Sequence, residues 1–378
     1  MKLLRQKIEQ EIYERGPIPF SRYMDLCLYD PELGYYSRSV EQFGKAGDFY
    51  TSSDVHAVFG RLLARQFAEM WRVLGSPERL ELIELGPGRG LFAQDVLGWS
   101  EKKFPDFFRA MRYRLVESSS ALRKRIKETL KPYLDSEKAE LTTLYSSEDK
   151  TSLEAPTIIF ANEFFDALPV DVISANGTLR IDTHDGRFIE TWAPHSPEEL
   201  ELLDRYSVHP EPEERMEVAL SVQQFMERIA ANIQHGFIVA IDYGYTREEQ
   251  LAGRHRGTLK VLRQHSINAS PYEAPGEQDI TADVNFTALA AAAEKHGMQT
   301  YQLVTQSQFL MGIGEANQFA DAFENCLLPQ ERAKVALQLK HLVTPAGMGE
   351  SFQVLIACKG IDEEKVSALS GLSFGRSR

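Results

Sequence analysis

The apolar run Ile158-Ile159-Phe160-Ala161 stops abruptly at Asn162-Glu163-Phe164-Phe165-Asp166. Its first half has the composition of a buried strand; its second half sets an amide and two carboxylates among aromatic rings. An unpaired carboxylate is costly to bury, so Glu163 and Asp166 need either water or a positively charged partner. Two chemistries fit. Acids just past a strand can cap and charge the start of a helix, which is a structural role. They can also receive a cation, and Asn162, Glu163 and Asp166 are then candidate catalytic residues.

A second cluster, Glu84-Leu85-Gly86-Pro87-Gly88-Arg89-Gly90, closes another apolar run. Glycines there let the backbone turn sharply and approach a ligand where a Cβ would clash. The dinucleotide form is G-x-G-x-x-G, with a ribose-binding acid ~20 residues on. Here the third glycine comes one residue early, and the next acid ending a strand, Glu117, lies 27 residues after Gly90. Both departures point away from a nicotinamide dinucleotide and suit S-adenosylmethionine, which has no pyrophosphate. In that reading Gly86, Gly88 and Gly90 cradle the methionine portion, Glu84 sits near its ammonium group, and Glu117 accepts bonds from the ribose hydroxyls. An ordinary tight turn with a solvated acid at the strand end is the alternative.

Several elements must position these groups. Residues 80–85 read as a strand, with a helix from about Leu91; 113–117 is a second strand, 141–144 a weaker third, 157–161 a fourth and 236–243 a fifth. Strands separated by helical stretches mean a parallel sheet covered on both faces. Residues 2–14 fit an amphipathic helix, 20–36 are rich in aromatics and turn residues, and another helix runs through Val58, Leu62, Phe67 and Trp71. Residues 170–192 alternate around Asn176-Gly177 and Asp185-Gly186 as a strand meander, followed by a Pro- and Glu-rich linker to 214 and a helix near 215–234. Final strands are expected at 301–304 and 352–358, with helical patterning around 315–342 between them.

Composition narrows the partners. A chain of 378 residues exceeds a single core of roughly 250–300 residues, so one large domain with additions, or two domains, is expected. A net charge of −13 argues against neutralising phosphates, so no nucleic acid is expected, while an acidic surface steers positive groups toward it. Cys27, Cys326 and Cys358 are far apart and form no CxxC pair or Cys/His cluster, so neither a disulfide framework nor a metal site is expected. No uncharged apolar run approaches the ~18 residues needed to span a membrane.

At this point the chain resembles the MidA-type class I methyltransferases, which include a mitochondrial assembly factor for respiratory complex I and bacterial relatives. The matching segments are GDFYTSSDVHAVFG (47–60), ELGPGRG (84–90), YRLVESS (113–119), FANEFFDALPV (160–170), IDYGY (241–245), PGEQDITADVNF (275–286), QSQFLMGIG (306–314) and GMGESFQVLIACKG (347–360). The resemblance implies an α/β, Rossmann-like class I methyltransferase with a seven-stranded sheet whose last strand is antiparallel. It implies an N-terminal helical region (1–75) contributing to the cofactor site, a core at 76–169 and 215–378, an inserted meander and linker at 170–214 and a helical insertion at 306–350. S-adenosyl-L-methionine is the implied cofactor. Asp48, Thr51 and Ser52 are expected to close over it, with the helix start at Ser53-Asp54 facing its carboxylate. For the mitochondrial member the resemblance implies symmetric dimethylation of an arginine on a complex I core subunit. Because Met1 lies close to the start of the matched region, a cytoplasmic bacterial protein is expected.

An arginine acceptor is a guanidinium, which a carboxylate meets with a bidentate pair. Protein arginine methyltransferases carry a double-glutamate hairpin at the equivalent place. Glu163 matches the first glutamate; the second is absent at the usual separation, leaving Asp166 or Asp171. The expected activity is therefore methyl transfer to an arginine-containing protein segment. A small-molecule O- or N-methyltransferase and a cofactor-binding assembly chaperone without transferase activity are the alternatives. A homodimer stays open.

Overall fold

The computed structural model describes residues 2–38, 57–143, 155–263, 266–267, 270–324 and 326–374. In chain order the main elements begin with helices α1 (Lys2–Arg15), α2 (Phe20–Tyr29) and α3 (Ala57–Val73). They continue through β1 (Leu80–Leu85), α4 (Leu91–Lys103), β2 (Met111–Val116), α5 (Ser120–Thr129), β3 (Ala139–Thr142) and β4 (Thr157–Asn162). Next come β5 (Asp171–Ser174), β6 (Gly177–His184), β7 (Arg187–Ala193), α6 (Pro197–Tyr206), β8 (Met216–Val218), α7 (Leu220–Asn232) and β9 (Gly236–Tyr245). The chain closes with β10 (Lys260–Arg263), β11 (Asp279–Thr281), α8 (Phe286–Glu294), α9 (Gln306–Glu315), α10 (Pro329–Val343) and β12 (Phe352–Lys359).

The main sheet runs β3-β2-β1-β4-β9-β12, with Gln299–Thr300 beyond β12 and two further short strands off this path. β1, β2, β3, β4 and β9 are parallel to their neighbours in that row, and β12 is antiparallel to β9. Side-chain alternation explains why this sheet must be covered twice. Leu82, Ile158, Phe160 and Val239 point to one face, where they meet Phe67 of α3, Phe92 of α4 and Phe309 of α9. Ile83, Ile159, Ala161 and Ala240 point to the other, against Phe225 and Ile229 of α7 and Leu289 of α8. Phe160 lies between Phe92, stacked at 4.6 Å, and Phe67, edge-on at 5.4 Å. Burying a side chain of this size contributes roughly 1.5–3 kcal/mol, and ring pairs add to it.

A second, antiparallel sheet holds β5, β6, β7 and β8 with Ile18–Pro19. It packs on α2 through Phe20, Tyr23 and Met24. A third small sheet pairs β10 with β11 and with Ser266–Ile267.

Several expectations shift. The meander at 170–192 is present as β5, β6 and β7, but the linker to 214 contains α6, started by a capping box between Ser196 and Glu199. The segment 20–36, rich in aromatics and turn residues, holds the ten-residue helix α2. The strand expected at 301–304 is split into Gln299–Thr300 and Val304–Thr305, each pairing with β12. The third strand begins and ends two residues before 141–144.

Candidate active site

Order reverses between β1 and β4. From β1 the chain moves outward to β2 and β3, then returns across the sheet to β4 and β9. A crevice therefore opens at the carboxyl ends of β1 and β4, the place where ligands bind in open α/β sheets. A cavity of about 750 Å³ occupies it, lined by residues that include Glu84, Gly86, Gly88, Glu117, Asn162, Glu163 and Asp166. The structure thus brings together the glycine turn and the acids read from separate motifs.

The turn after β1 has left-handed backbone at Gly86, Gly88 and Gly90, with φ of 63°, 54° and 77°. Gly86 shows why glycine is required: a Cβ there would lie 2.9 Å from the Phe164 ring. Glu84, 4% exposed, accepts a hydrogen bond at 2.8 Å from the Tyr113 hydroxyl. Burial pushes its carboxyl up to about 8, the Tyr113 bond opposing and the Glu117 charge adding to the shift. Glu117 follows directly on β2 and accepts the Ser119 N–H at 2.7 Å. Burial raises it to about 7 against the N–H groups of Ser119 and Ser118 and the charge of Arg123. Asp48, Thr51, Ser52, Ser53 and Asp54 lie outside the described residues.

On the opposite wall Asn162 is the last residue of β4, and its Nδ2 donates to Glu163 Oε1 at 3.0 Å. Glu163 then turns the chain through a left-handed conformation, φ 49°. Asp166 follows on the same turn and lines the cavity. Its carboxyl is held well above the usual range by burial, then by Asp242, Asp279 and Asp283, with Lys260 opposing. Asp171 does not join them. It accepts the Ser21 N–H at 3.1 Å at the start of α2, and Asp166 is the nearer candidate for a second carboxylate. The two phenylalanines divide: Phe165 is 1% exposed in the core, whereas Phe164 lines the cavity and packs against Phe225 at 5.1 Å.

The remaining wall comes from residues that sequence reasoning left without a role. Tyr29 and Tyr36 enter from the N-terminal segment; Lys260, Asp279 and Asp283 come from the small sheet and the loop after it. The Tyr36 hydroxyl donates to Asp279 Oδ1 at 3.0 Å, and Lys260 Nζ donates to Asp283 Oδ1 at 2.7 Å. A signal was present for Asp242, a lone acid inside the apolar run FIVAIDYGY, which repeats the pattern that singled out Glu163. The aromatic density of 20–36 was the only trace of Tyr29 and Tyr36.

Among the described lining residues, seven carboxylates (Asp25, Glu84, Glu117, Glu163, Asp166, Asp279, Asp283) face three cations (Arg89, Arg228, Lys260). Carboxyl groups thus outnumber cations in the lining, and burial raises Glu84, Glu117 and Asp166 above the usual carboxylate range.

Comparison with known proteins places this cleft in context. The profile of a family of S-adenosyl-L-methionine-dependent methyltransferases matches residues 62–304. The chain is 30% identical over 380 residues to the Danio rerio protein named protein arginine methyltransferase NDUFAF7, mitochondrial, covering 93% of this chain and 86% of that one. It is 29% identical over 396 residues to the Drosophila melanogaster homolog of that protein, covering 95% and 85%. Among solved structures, a COG1565 superfamily member from Burkholderia thailandensis bound to S-adenosyl-homocysteine superposes with a TM-score of 0.83 at 27% identity, covering 100% of this chain and 95% of that chain. Since the matched span contains both the glycine turn and the Asn162-Glu163 strand end that face each other across the cavity, the chain belongs to the S-adenosyl-L-methionine-dependent methyltransferases.

Proposed function

We propose that this methyltransferase acts on arginine side chains of a protein substrate, with Glu163 and Asp166 receiving the guanidinium. The observation that carries this reading is the set of acids in the cavity beside the glycine turn: Glu163, Asp166, Asp279 and Asp283 line it together with Lys260. The similarity to relatives named protein arginine methyltransferases supports it.

The residues present fit the cofactor. Gly86 and Gly88 offer backbone free of side chains to the cavity, whereas Gly90 is buried against Leu130 and Ile126 and serves the turn itself; Glu84 suits an ammonium group, and Glu117 suits paired hydroxyls. S-adenosylmethionine, when bound, supplies an electrophilic methyl group. The chain's own work is then positioning and electrostatics. Glu163 orients the guanidinium by bidentate hydrogen bonds, Asp166 compensates its charge, and Asn162 holds the Glu163 carboxylate by its Nδ2 bond. Phe164 and Tyr243 add aromatic surface to the lining of the same cavity.

Cofactor affinity follows from the two raised carboxyls. In the free protein Glu84 and Glu117 hold protons up to about pH 8 and 7. An ammonium group beside Glu84 favours its ionised form, so the bound-state pKa is lower and binding expels a proton between the two values. Affinity for S-adenosylhomocysteine therefore rises with pH from 6 and levels off above about 8, by up to about tenfold per unit for each proton released. Calorimetry in buffers of different ionisation enthalpy checks both slope and proton count; pH-independent affinity would remove Glu84 from the ammonium site.

The activity is tested by incubating the protein with labelled S-adenosylmethionine and a cell lysate, then locating the label by mass spectrometry. Dimethylarginine in a protein band is the expected result, and a respiratory complex I subunit is the first band to examine. A labelled small molecule would overturn the protein-substrate reading. An absence of label beside intact cofactor binding would favour the chaperone alternative.

A further inference from the structure

The turn that carries Glu163 is held from the neighbouring strand. The last ladder bond of β4 runs from the Glu163 N–H to the Ile241 carbonyl of β9, at 3.0 Å. Beyond it the chain leaves the sheet, and the next three N–H groups have no strand to pair with. Asp242, one residue past Ile241 and 0% exposed, takes all three. Its Oδ2 accepts from Phe164 at 3.2 Å, Phe165 at 2.9 Å and Asp166 at 3.3 Å, while its Oδ1 accepts the Tyr243 N–H at 2.9 Å.

Two consequences follow. The Phe165 N–H is buried and those of Phe164 and Asp166 are partly buried, so leaving them unpaired is costly and the carboxylate is what permits the chain to turn there. The turn also holds Glu163 in left-handed backbone, φ 49°, a conformation that is unfavourable in a residue with a Cβ. Without the three bonds, Glu163 relaxes to the right-handed or extended region and its side chain swings away from Asn162. We infer that Asp242 is the positioning residue for Glu163, fixing the turn that aims Glu163 into the cavity. The inference rests on Glu163 acting on the acceptor.

Asp242→Asn tests it, because asparagine keeps the shape but has one acceptor oxygen for two sets of donors. Its amide then faces either the three turn N–H groups or that of Tyr243. The expected result is a loss of about 100-fold in methyl transfer from labelled S-adenosylmethionine to lysate protein, the scale of a misplacement near 1 Å. Affinity for S-adenosylhomocysteine by calorimetry stays within about threefold. In a Glu163→Gln background the same substitution costs less than about threefold more, since both changes act through one side chain. Full activity of Asp242→Asn beside an impaired Glu163→Gln would overturn the role of Asp242 alone, as would losses that multiply in the double variant. Wild-type turnover by Glu163→Gln would instead overturn the assignment of Glu163, and the inference with it. If Asp242→Asn does not fold, hydrogen exchange on the unaltered protein decides: amides 164–166 are expected to be protected, and exchange at open-loop rates would overturn the inference.

Discussion

Glutamine at position 163 lowers methyl transfer about 10²–10³-fold and leaves S-adenosylhomocysteine affinity within about threefold of the unaltered protein. The side chain keeps its shape, and its Oε1 can still accept the Asn162 Nδ2 bond seen at 3.0 Å. What is lost is charge. A charge-assisted bond to guanidinium is roughly twice as strong as a neutral one, and the bidentate pair needs two acceptor oxygens. Glutamine offers one acceptor and turns a donor toward a group that only donates. The glycine turn and Glu117 lie on other strands, so the cofactor subsite is untouched. Initial rates with labelled S-adenosylmethionine, set beside calorimetry, measure both halves; a normal rate would take Glu163 out of the mechanism.

Valine at position 86 produces the opposite split. Gly86 has φ 63° and sits where a Cβ would lie 2.9 Å from the Phe164 ring. A β-branched residue in that conformation is a steric outlier, costing about 1–2 kcal/mol or more, and forced contact with a packed ring adds about 1–3 kcal/mol. Either the loop keeps its place and the protein carries the strain, or the loop moves and the cofactor loses its cradle. The expected outcome of Gly86→Val is a fall in S-adenosylhomocysteine affinity of at least about 100-fold, about 3 kcal/mol, with a lowered melting temperature. Alanine gives a milder version of both. Unchanged affinity and unchanged melting together would show that the Gly86 turn is not the binding surface.

The parts of this fold that were legible in the sequence are those where one physical requirement dominates. Residues 80–85, 157–162 and 236–245 are buried on both faces of a parallel sheet, so their apolar runs leave little choice. Glu163 was legible because an acid that ends such a run needs a partner. Helix α2 was not, because its aromatic residues and flanking prolines look like turn chemistry until the second sheet supplies a surface for Phe20, Tyr23 and Met24. Asp171 and Asp166 look alike in sequence; only the approach of Ser21 to one of them separates their roles. Asp242 was visible as an odd acid in a strand, yet its purpose depends on the parallel register that sets Ile241 beside Asn162. Local patterns show where a charge is out of place, and tertiary pairing shows what it is for.

Tyr36 ties together segments made at very different times on the ribosome. Its carbonyl accepts the Ser119 hydroxyl at 2.6 Å, its own hydroxyl donates to Asp279 at 3.0 Å, and its ring meets Tyr29 at 5.5 Å. A nascent chain released before Asp279 has emerged already contains the glycine turn, Glu117 and Glu163, but it lacks the acid that anchors this wall. Contacts of such sequence separation form late in folding, after loop-closure entropy has been overcome. This wall of the cavity is therefore anchored only once the chain has extended to Asp279, 243 residues beyond Tyr36.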